Sequence, residues 1–180
     1  ALTSRTQAYW KVRVWNQADV PSEWSKPSSF GIGILSENDW SAEARFIGVE
    51  QANAKSHSAP LLRKSFTYEP SKGKALLSVN SLGYHEAYVN GQPVSDAVLA
   101  PAVSQWGKRS QIMTYDVTSL LKKGENELVL WTGIGWYQTH NSSVVPGGPY
   151  VRAQLDVIAS GNVQTLVATD ATWQSAESGR

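Results

Sequence analysis

Gly83-Tyr84-His85-Glu86-Ala87-Tyr88-Val89-Asn90-Gly91-Gln92-Pro93-Val94 is the stretch whose reading decides the fold. Asn90-Gly91 is the dipeptide favoured where both central residues of a type I′ turn need positive φ, so it predicts a hairpin joining a strand that ends near Val89 to one that begins near Gln92. Pro93 has no N–H to give a ladder, which makes the second arm an edge. About twenty residues on, Thr114-Tyr115-Asp116-Val117-Thr118-Ser119-Leu120-Leu121 runs a strand into a short helical turn that Asp116 or Thr118 can cap. Lys122 and Lys123 meet its carbonyl end before Gly124 breaks it. The chain then turns at Glu125-Asn126 into Leu128-Val129-Leu130-Trp131, apolar on both faces as a central sandwich strand would be.

Outward from this centre, strand signals recur between clusters of Gly, Pro, Asn and Ser. Residues 61–68, 75–79, 84–90 and 111–115 read as strands, and 151–157 alternates apolar and polar side chains. Residues 9–15 alternate as well, with Trp10, Val12 and Val14 on one face and Lys11 and Arg13 on the other, the period of a half-buried strand. No segment of ten or more residues carries a helical repeat, and no internal sequence repeat is evident. The fold class is therefore all-β, an antiparallel β-sandwich.

The first thirty or so residues look foreign to that sandwich. A strand at 9–15, a loop through Asn16, Asp19, Pro21 and Ser22, then Trp24-Ser25-Lys26-Pro27 and a short strand near Phe30 resemble the last two strands of a fibronectin type III-like domain. A lone hairpin is marginal in water. The expected organisation is thus 1–35 as a hairpin remnant of such a domain and 36–180 as the sandwich, with the whole a piece of a larger protein.

Composition narrows the function classes. A chain of 180 residues, 41% hydrophobic, can bury a sizeable core. Sixteen basic against fifteen acidic residues leave a net charge of +1 with no dense basic stripe to neutralise phosphates, so no nucleic-acid partner is expected. No apolar run approaches the roughly 18 residues of a membrane span, and no membrane partner is expected either. Without cysteine there are no disulfides, thiolate metal sites or cysteine nucleophiles. The amino end lacks a signal-peptide core; an extracellular or periplasmic site is the expectation, with the export signal outside this chain. Eight Trp and seven Tyr suit both sandwich cores and sugar-stacking surfaces.

From Asp39-Trp40 to about Trp173, roughly three quarters of the chain, the order of motifs resembles the amino-terminal β-sandwich of bacterial α-L-rhamnosidases. The set comprises Pro60-Leu61-Leu62-Arg63-Lys64-Ser65-Phe66, Gly83-Tyr84-His85-Glu86, Asn90-Gly91, Val98-Leu99-Ala100-Pro101, Lys108-Arg109, Thr114-Tyr115-Asp116-Val117-Thr118, Gly124-Glu125-Asn126 and Gly133-Ile134-Gly135-Trp136-Tyr137. A related sandwich of β-galactosidase-like enzymes shares the Asn-Gly turn and the Asp-Val-Thr to Gly-Glu-Asn segment. Leu-Arg-Lys together with the Gly-x-Gly-Trp-Tyr ending points to the rhamnosidases. The resemblance carried by the order of these motifs implies the jelly-roll, galactose-binding-like form of sandwich. It also implies a parent enzyme that hydrolyses terminal α-L-rhamnosides with inversion, its two carboxylic acids lying in an (α/α)6 barrel and separated by roughly 6.5–9.5 Å. No such barrel can be made from this chain, so no catalytic residue is expected in it and the barrel of the same polypeptide is its expected partner.

Every other candidate has a plain alternative. Glu86, between Tyr84 and Tyr88 on one strand face, is either an acid beside sugar platforms or an ordinary exposed carboxylate. Asp116 reads as a cap. His57, His85 and His140 are too scattered for a metal site, and Asp96, Asp116, Asn126 and Asp156 could supply oxygen ligands but form no Asp-rich loop, so no cofactor is expected and calcium alone stays open, as in any sandwich of this kind. Gly133-Ile134-Gly135 leaves a strand for Trp-Tyr, so it is no nucleotide loop; the glycines are expected to bend the chain and present Trp136 and Tyr137 together. With His140, Asn141 and the 138–150 loop, these two rings form the first candidate surface for rhamnose-containing carbohydrate or for a domain interface, and Trp106 is the second. Three readings compete: an accessory sandwich of a rhamnosidase, a stand-alone carbohydrate-binding module, and a structural spacer. An exposed groove of Trp106, Trp136 and Tyr137 would favour binding; their burial would favour the spacer.

Overall fold

The computed structural model describes residues 2–49, 59–138 and 147–178, Gln138 by its backbone alone. The chain forms two compact units, Ala1–Asp39 and Trp40–Arg180. In the first, β1 (Gln7–Trp10) pairs antiparallel with β2 (Ser28–Gly31), Trp10 opposite Ser28. The strand expected to reach Trp15 stops at Trp10 as a regular ladder, because serine hydroxyls replace backbone acceptors beyond it. Val12 N–H donates to Ser25 Oγ at 3.0 Å and Val14 N–H to Ser22 Oγ at 3.1 Å. The expected alternation survives: Lys11 and Arg13 both lie over the Trp24 ring, at 4.5 and 4.8 Å. The expected burial does not, since Trp10, Val12 and Val14 are all exposed.

This unit runs past residue 35 because Asp39 ties it off. Its carboxylate accepts from the Ser4 hydroxyl at 2.6 Å and from Ser36 N–H at 2.9 Å. The same hydrogen bonds, that from Ser4 foremost, hold the Asp39 carboxyl below its usual range.

The second unit is a two-layer antiparallel sandwich. Its strands are β3 (Leu61–Tyr68), β4 (Lys74–Leu82), β5 (Tyr84–Val89), β6 (Gln92–Pro93), β7 (Ile112–Asp116), β8 (Gly124–Gly133), β9 (Tyr150–Ala159), β10 (Asn162–Ala168) and β11 (Gln174–Ala176). A four-stranded sheet runs β10-β9-β4-β7 and a five-stranded sheet β11-β3-β8-β5-β6. The central place expected for 128–131 and the edge place expected for Pro93 are both observed. Leu77 and Val79 of β4 and Val151 and Leu155 of β9 face Leu62, Val89, Leu128 and Leu130 of the other sheet in one buried core. Each such side chain contributes about 1.5–3 kcal/mol on burial. β10 and β11 went unread in the sequence: most of β10 is exposed, so its apolar pattern is faint. The left-handed pair Ser160-Gly161 that turns β9 into β10 was the available signal.

The polar residues of β9 do not face water as alternation predicts. Gln154 and Asp156 are each 1% exposed. Segment 40–47 lies over them: Ser41 N–H donates to Gln154 Oε1 at 2.6 Å, the Arg152 guanidinium covers the Trp40 ring at 4.4 Å, and Ile47 bridges Val151. Gln154 Nε2 and the Thr165 hydroxyl each donate to the Asp156 carboxylate at 2.7 Å, which meets the hydrogen-bonding needs of a buried acid.

The hairpin that opens the sequence reading is fixed from below. Asn90 (φ 53) and Gly91 (φ 78) form the two-residue turn, with Val89 opposite Gln92. Asn90 Nδ2 donates to Leu120 O at 2.9 Å and to Asn126 Oδ1 at 2.8 Å, while Asn90 Oδ1 accepts from Glu127 N–H at 3.1 Å. Asn126, 2% exposed, donates from Nδ2 to Lys122 O at 2.7 Å and Gly124 O at 2.9 Å, and its Oδ1 accepts from Lys122 N–H at 2.9 Å. Truncating it removes its bonds to Lys122 N–H, Lys122 O and Gly124 O and leaves Asn90 Nδ2 without one acceptor. Asn126→Ala should lower unfolding free energy by about 3 kcal/mol, against less than about 1 kcal/mol for breaking the exposed Arg63–Glu127 pair by Arg63→Ala; urea denaturation of the two variants checks the contrast.

Candidate functional site

β8 ends at Gly133 and a 3₁₀ turn, Gly135–Gln138, follows it. The turn separates the two rings that the sequence reading expected side by side. Trp136 is 56% exposed, whereas Tyr137 is 1% exposed. Tyr137 packs edge to face with the half-buried Trp106 at 5.8 Å and with Tyr150 at 6.5 Å. Burial, and secondarily Tyr150, push its phenol pKa up. Trp106 and Tyr137 are thus brought together as packing rather than as an open groove. His140 and Asn141, like His57, lie outside the described residues.

Gly135 bends the chain as expected, with φ 49, but it has a second task that the sequence did not indicate. A Cβ on Gly135 (φ 49) would stand 2.6 Å from Cε2 of Tyr84 and 2.7 Å from Cδ2, so the missing side chain is what lets the Tyr84 ring lie against the backbone. Gly135→Ala should therefore cost about 2 kcal/mol, from left-handed backbone and from displacement of that ring; a denaturation midpoint unchanged from wild type would contradict this packing.

Alternation along β5 is strict. His85, Ala87 and Val89 are buried, while Tyr84, Glu86 and Tyr88 lie on the outer face of the five-stranded sheet. Glu86 is exposed, stands opposite Trp131 in the ladder, and accepts from the Tyr88 hydroxyl at 2.5 Å. That bond raises the Tyr88 pKa. Trp131, half-buried on the same face, donates from Nε1 to Ala59 O at 3.0 Å. Tyr84, Glu86 and Trp131 border a cleft of about 190 Å³ with Leu99, Ala59 and Gly133. The sequence reading singled out Glu86 with Tyr84 and Tyr88 beside it; Trp131 was read as part of a strand apolar on both faces, and the one-in-two alternation of β8 was the signal that it faces outward.

Beneath Glu86 lies a buried chain of hydrogen bonds. Ser81 Oγ is 3.2 Å from Gly83 O, which can only accept, so the Ser81 proton goes there and His85 Nδ1–H donates to Ser81 Oγ at 2.7 Å. His85 Nε2 then accepts from the Tyr115 hydroxyl at 2.9 Å. Burial drives the His85 pKa down from 6.5 to about 4, and burial raises that of Tyr115. The imidazole is a neutral core connector, in keeping with its distance from any metal-ligand set. Because its folded pKa is depressed, the unfolded chain binds the extra proton first as pH falls. Stability is unaffected by His85 above about pH 6.5 and declines between about 6.5 and 4, by about 3 kcal/mol in all. Imidazole NMR should show His85 neutral down to near pH 4; a midpoint near 6.5 would overturn the buried chain.

Two further acids, Asp116 and Asp170, are tied into structure. Burial opposes the charge on Asp116, but hydrogen bonds from Thr118 and Lys74 outweigh it and hold its carboxyl low. Asp116 Oδ1 accepts from Thr118 N–H at 3.2 Å at the start of the 3₁₀ turn Thr118–Leu120, and Lys74 Nζ sits 3.0 Å from Oδ2. Thr118 Oγ1 in turn accepts from Ala75 N–H, joining the turn to β4. Asp170 is held low mainly by Thr172. Among the described residues, no three His, Asp or Glu side chains converge as a metal site, and no helix is long and apolar enough to cross a membrane.

These features define a two-layer antiparallel β-sandwich in which Asp116, Asp156 and Asp170 serve the structure itself. The chain belongs to the α-L-rhamnosidase N-terminal domain family, whose model matches residues 71–180, and residues 1–36 match the model of the Rha78A-like N-terminal immunoglobulin domain. The resemblance of the first hairpin to fibronectin type III is thereby met at the level of an immunoglobulin-type sandwich. Among relatives, an α-L-rhamnosidase of Formosa agariphila is 31% identical over 99% of this chain, and one of Alteromonas sp. is also 31% identical over 99%. The chain spans about 20% of the length of each. The crystal structure of α-L-rhamnosidase from Aspergillus terreus superposes over 98% of this chain and 21% of its own with a TM-score of 0.84 at 28% identity. The structure of the enzyme from Dictyoglomus thermophilum gives 0.76 at 25% identity over the same shares.

Proposed function

We propose that this chain is the non-catalytic β-sandwich portion of an enzyme that hydrolyses terminal α-L-rhamnosides, packing on a catalytic barrel carried elsewhere in the same polypeptide. The observation that carries the reading is the family match joined to the state of the carboxylates. A glycosidase acid needs a raised pKa and a partner carboxylate across the scissile bond. The described carboxylates whose pKa departs from the ordinary range, Asp39, Asp116 and Asp170, are all pushed down, each by neighbours that use the charge structurally. The reading assigns no metal or cofactor to this chain.

A carbohydrate-binding role is the second reading, and the outward-facing Trp136 and Glu86 favour it. Tyr137 and Trp106, in mutual contact, serve packing in either case. His140 and Asn141 stay with Trp136 as candidates for the same surface. The isolated chain should show no turnover of an aryl α-L-rhamnoside while the parent polypeptide cleaves it. Measurable hydrolysis by the pure chain would overturn the accessory assignment, and absence of hydrolysis by the parent would overturn the rhamnosidase one. Titration with rhamnose-containing glycan, wild type against Trp136→Ala, tests the binding surface at that turn.

A further inference from the structure

Residues 94–100 leave the edge of β5 as a bulge pinned at both ends. Val94 N–H donates to Ala87 O at 3.0 Å and His85 N–H to Ala100 O at 2.8 Å, so both ends of the segment are tied to residues 85–87. Leu99 stands at its crest, 70% exposed and with φ 55, a left-handed conformation unfavourable for leucine. The crest forms one wall of the cleft described above, and a second hollow of about 200 Å³ beneath the bulge shares the His85–Glu86 wall.

We propose that the cleft bounded by Tyr84, Glu86, Leu99 and Trp131 is a binding site for one neutral pyranose ring. Sugars offer an apolar C–H face and a rim of hydroxyl donors, and the cleft has a counterpart for each. Aromatic side chains present flat faces of low conformational entropy, and here both are already fixed. Tyr84 rests on the bare backbone of Gly135, and Trp131 is anchored through Nε1–H to Ala59 O. Glu86 is oriented by the Tyr88 hydroxyl at Oε2, forms no ion pair among the described residues, and so keeps Oε1 for charge-assisted bonds from ligand hydroxyls. The negative charge argues against an anionic ligand. Leu99, set in water at a backbone cost, gains a partner when a ring enters. The cleft alone is smaller than the roughly 300–1,000 Å³ of drug-sized sites, which limits it to a single ring and to dissociation constants on the order of millimolar. The site rests on the carbohydrate-binding reading, which it places at Glu86 rather than at Trp136, and it does not depend on whether the parent enzyme cleaves rhamnosides.

The test is a ¹H–¹⁵N titration of this chain with the methyl pyranosides of L-rhamnose, D-galactose and D-mannose, into the tens of millimolar. Saturable shifts are expected at the Trp131 indole N–H and at the amides of residues 84–86 and 131–133. Glu86→Gln, an exposed and nearly isosteric change, should weaken binding about tenfold or more with the fold intact, and Trp136→Ala should leave it unchanged. Absence of saturation with all three sugars, saturation mapped to Trp136 or to the first unit, or an unaltered affinity in Glu86→Gln would each overturn the site. Any of these results with rhamnoside cleavage by the parent polypeptide retained would leave the proposed function standing.

Discussion

The hydrogen bond between half-buried Asn90 and buried Asn126 constrains more of this sandwich than any single apolar pair, because it binds three chain reversals that belong to different parts of the sequence. Asn90 closes the β5–β6 hairpin, Leu120 ends the 3₁₀ turn that brings the chain over from the four-stranded sheet, and Asn126 opens β8 at the centre of the five-stranded sheet. The two amides satisfy one another and the backbone around them, which is the condition under which a buried polar network specifies one arrangement instead of weakening the core. With β8 placed, β3 and β5 take their registers against it, Leu62 opposite Leu130 and Ala87 opposite the same residue from the other side.

The two outer faces are treated differently. Over the four-stranded sheet, segment 40–47 buries Gln154 and Asp156 and supplies Ser41 as a donor. Over the described part of the five-stranded sheet, Tyr84, Glu86, Tyr88 and Trp131 keep part of their surface in water. A half-covered aromatic face beside a carboxylate is suited to recognition; a fully covered polar face is suited to holding the chain together. The cleft at Glu86 follows from this asymmetry, and so does the position of His85, which faces inward one residue away and titrates as a core group.

Recognition of the fold rested on local chemistry that the structure repeats. Asn90-Gly91 makes the turn it encodes, Pro93 sits at an edge and β8 runs through the middle of its sheet; the cap expected from Asp116 or Thr118 is not made, since Val117 takes the N-cap position without a side-chain bond and Asp116 accepts locally from Thr118 N–H instead. The site was far less legible. Trp136 and Tyr137 are adjacent in sequence, but a 3₁₀ turn sends one outward and the other into contact with Trp106 and Tyr150. Gly135 was read as a hinge for those rings, yet it makes room for Tyr84, fifty-one positions earlier. Adjacency along a strand-to-turn junction carries no information about which side chain faces the core.

What the sequence by itself determined is the set of turns, the strand periods and, through the order of its motifs, the family. These depend on φ preferences and on two-residue alternation, both properties of neighbouring residues. What only the tertiary structure decided is which alternating faces are covered: that Trp10, Val12 and Val14 remain exposed, that Gln154 and Asp156 are buried, and that Trp131, Glu86 and Tyr84 meet. Burial depends on what another segment, remote along the chain, lays across a face, and that is a matter of packing between residues whose separation in sequence encodes nothing of their distance in space.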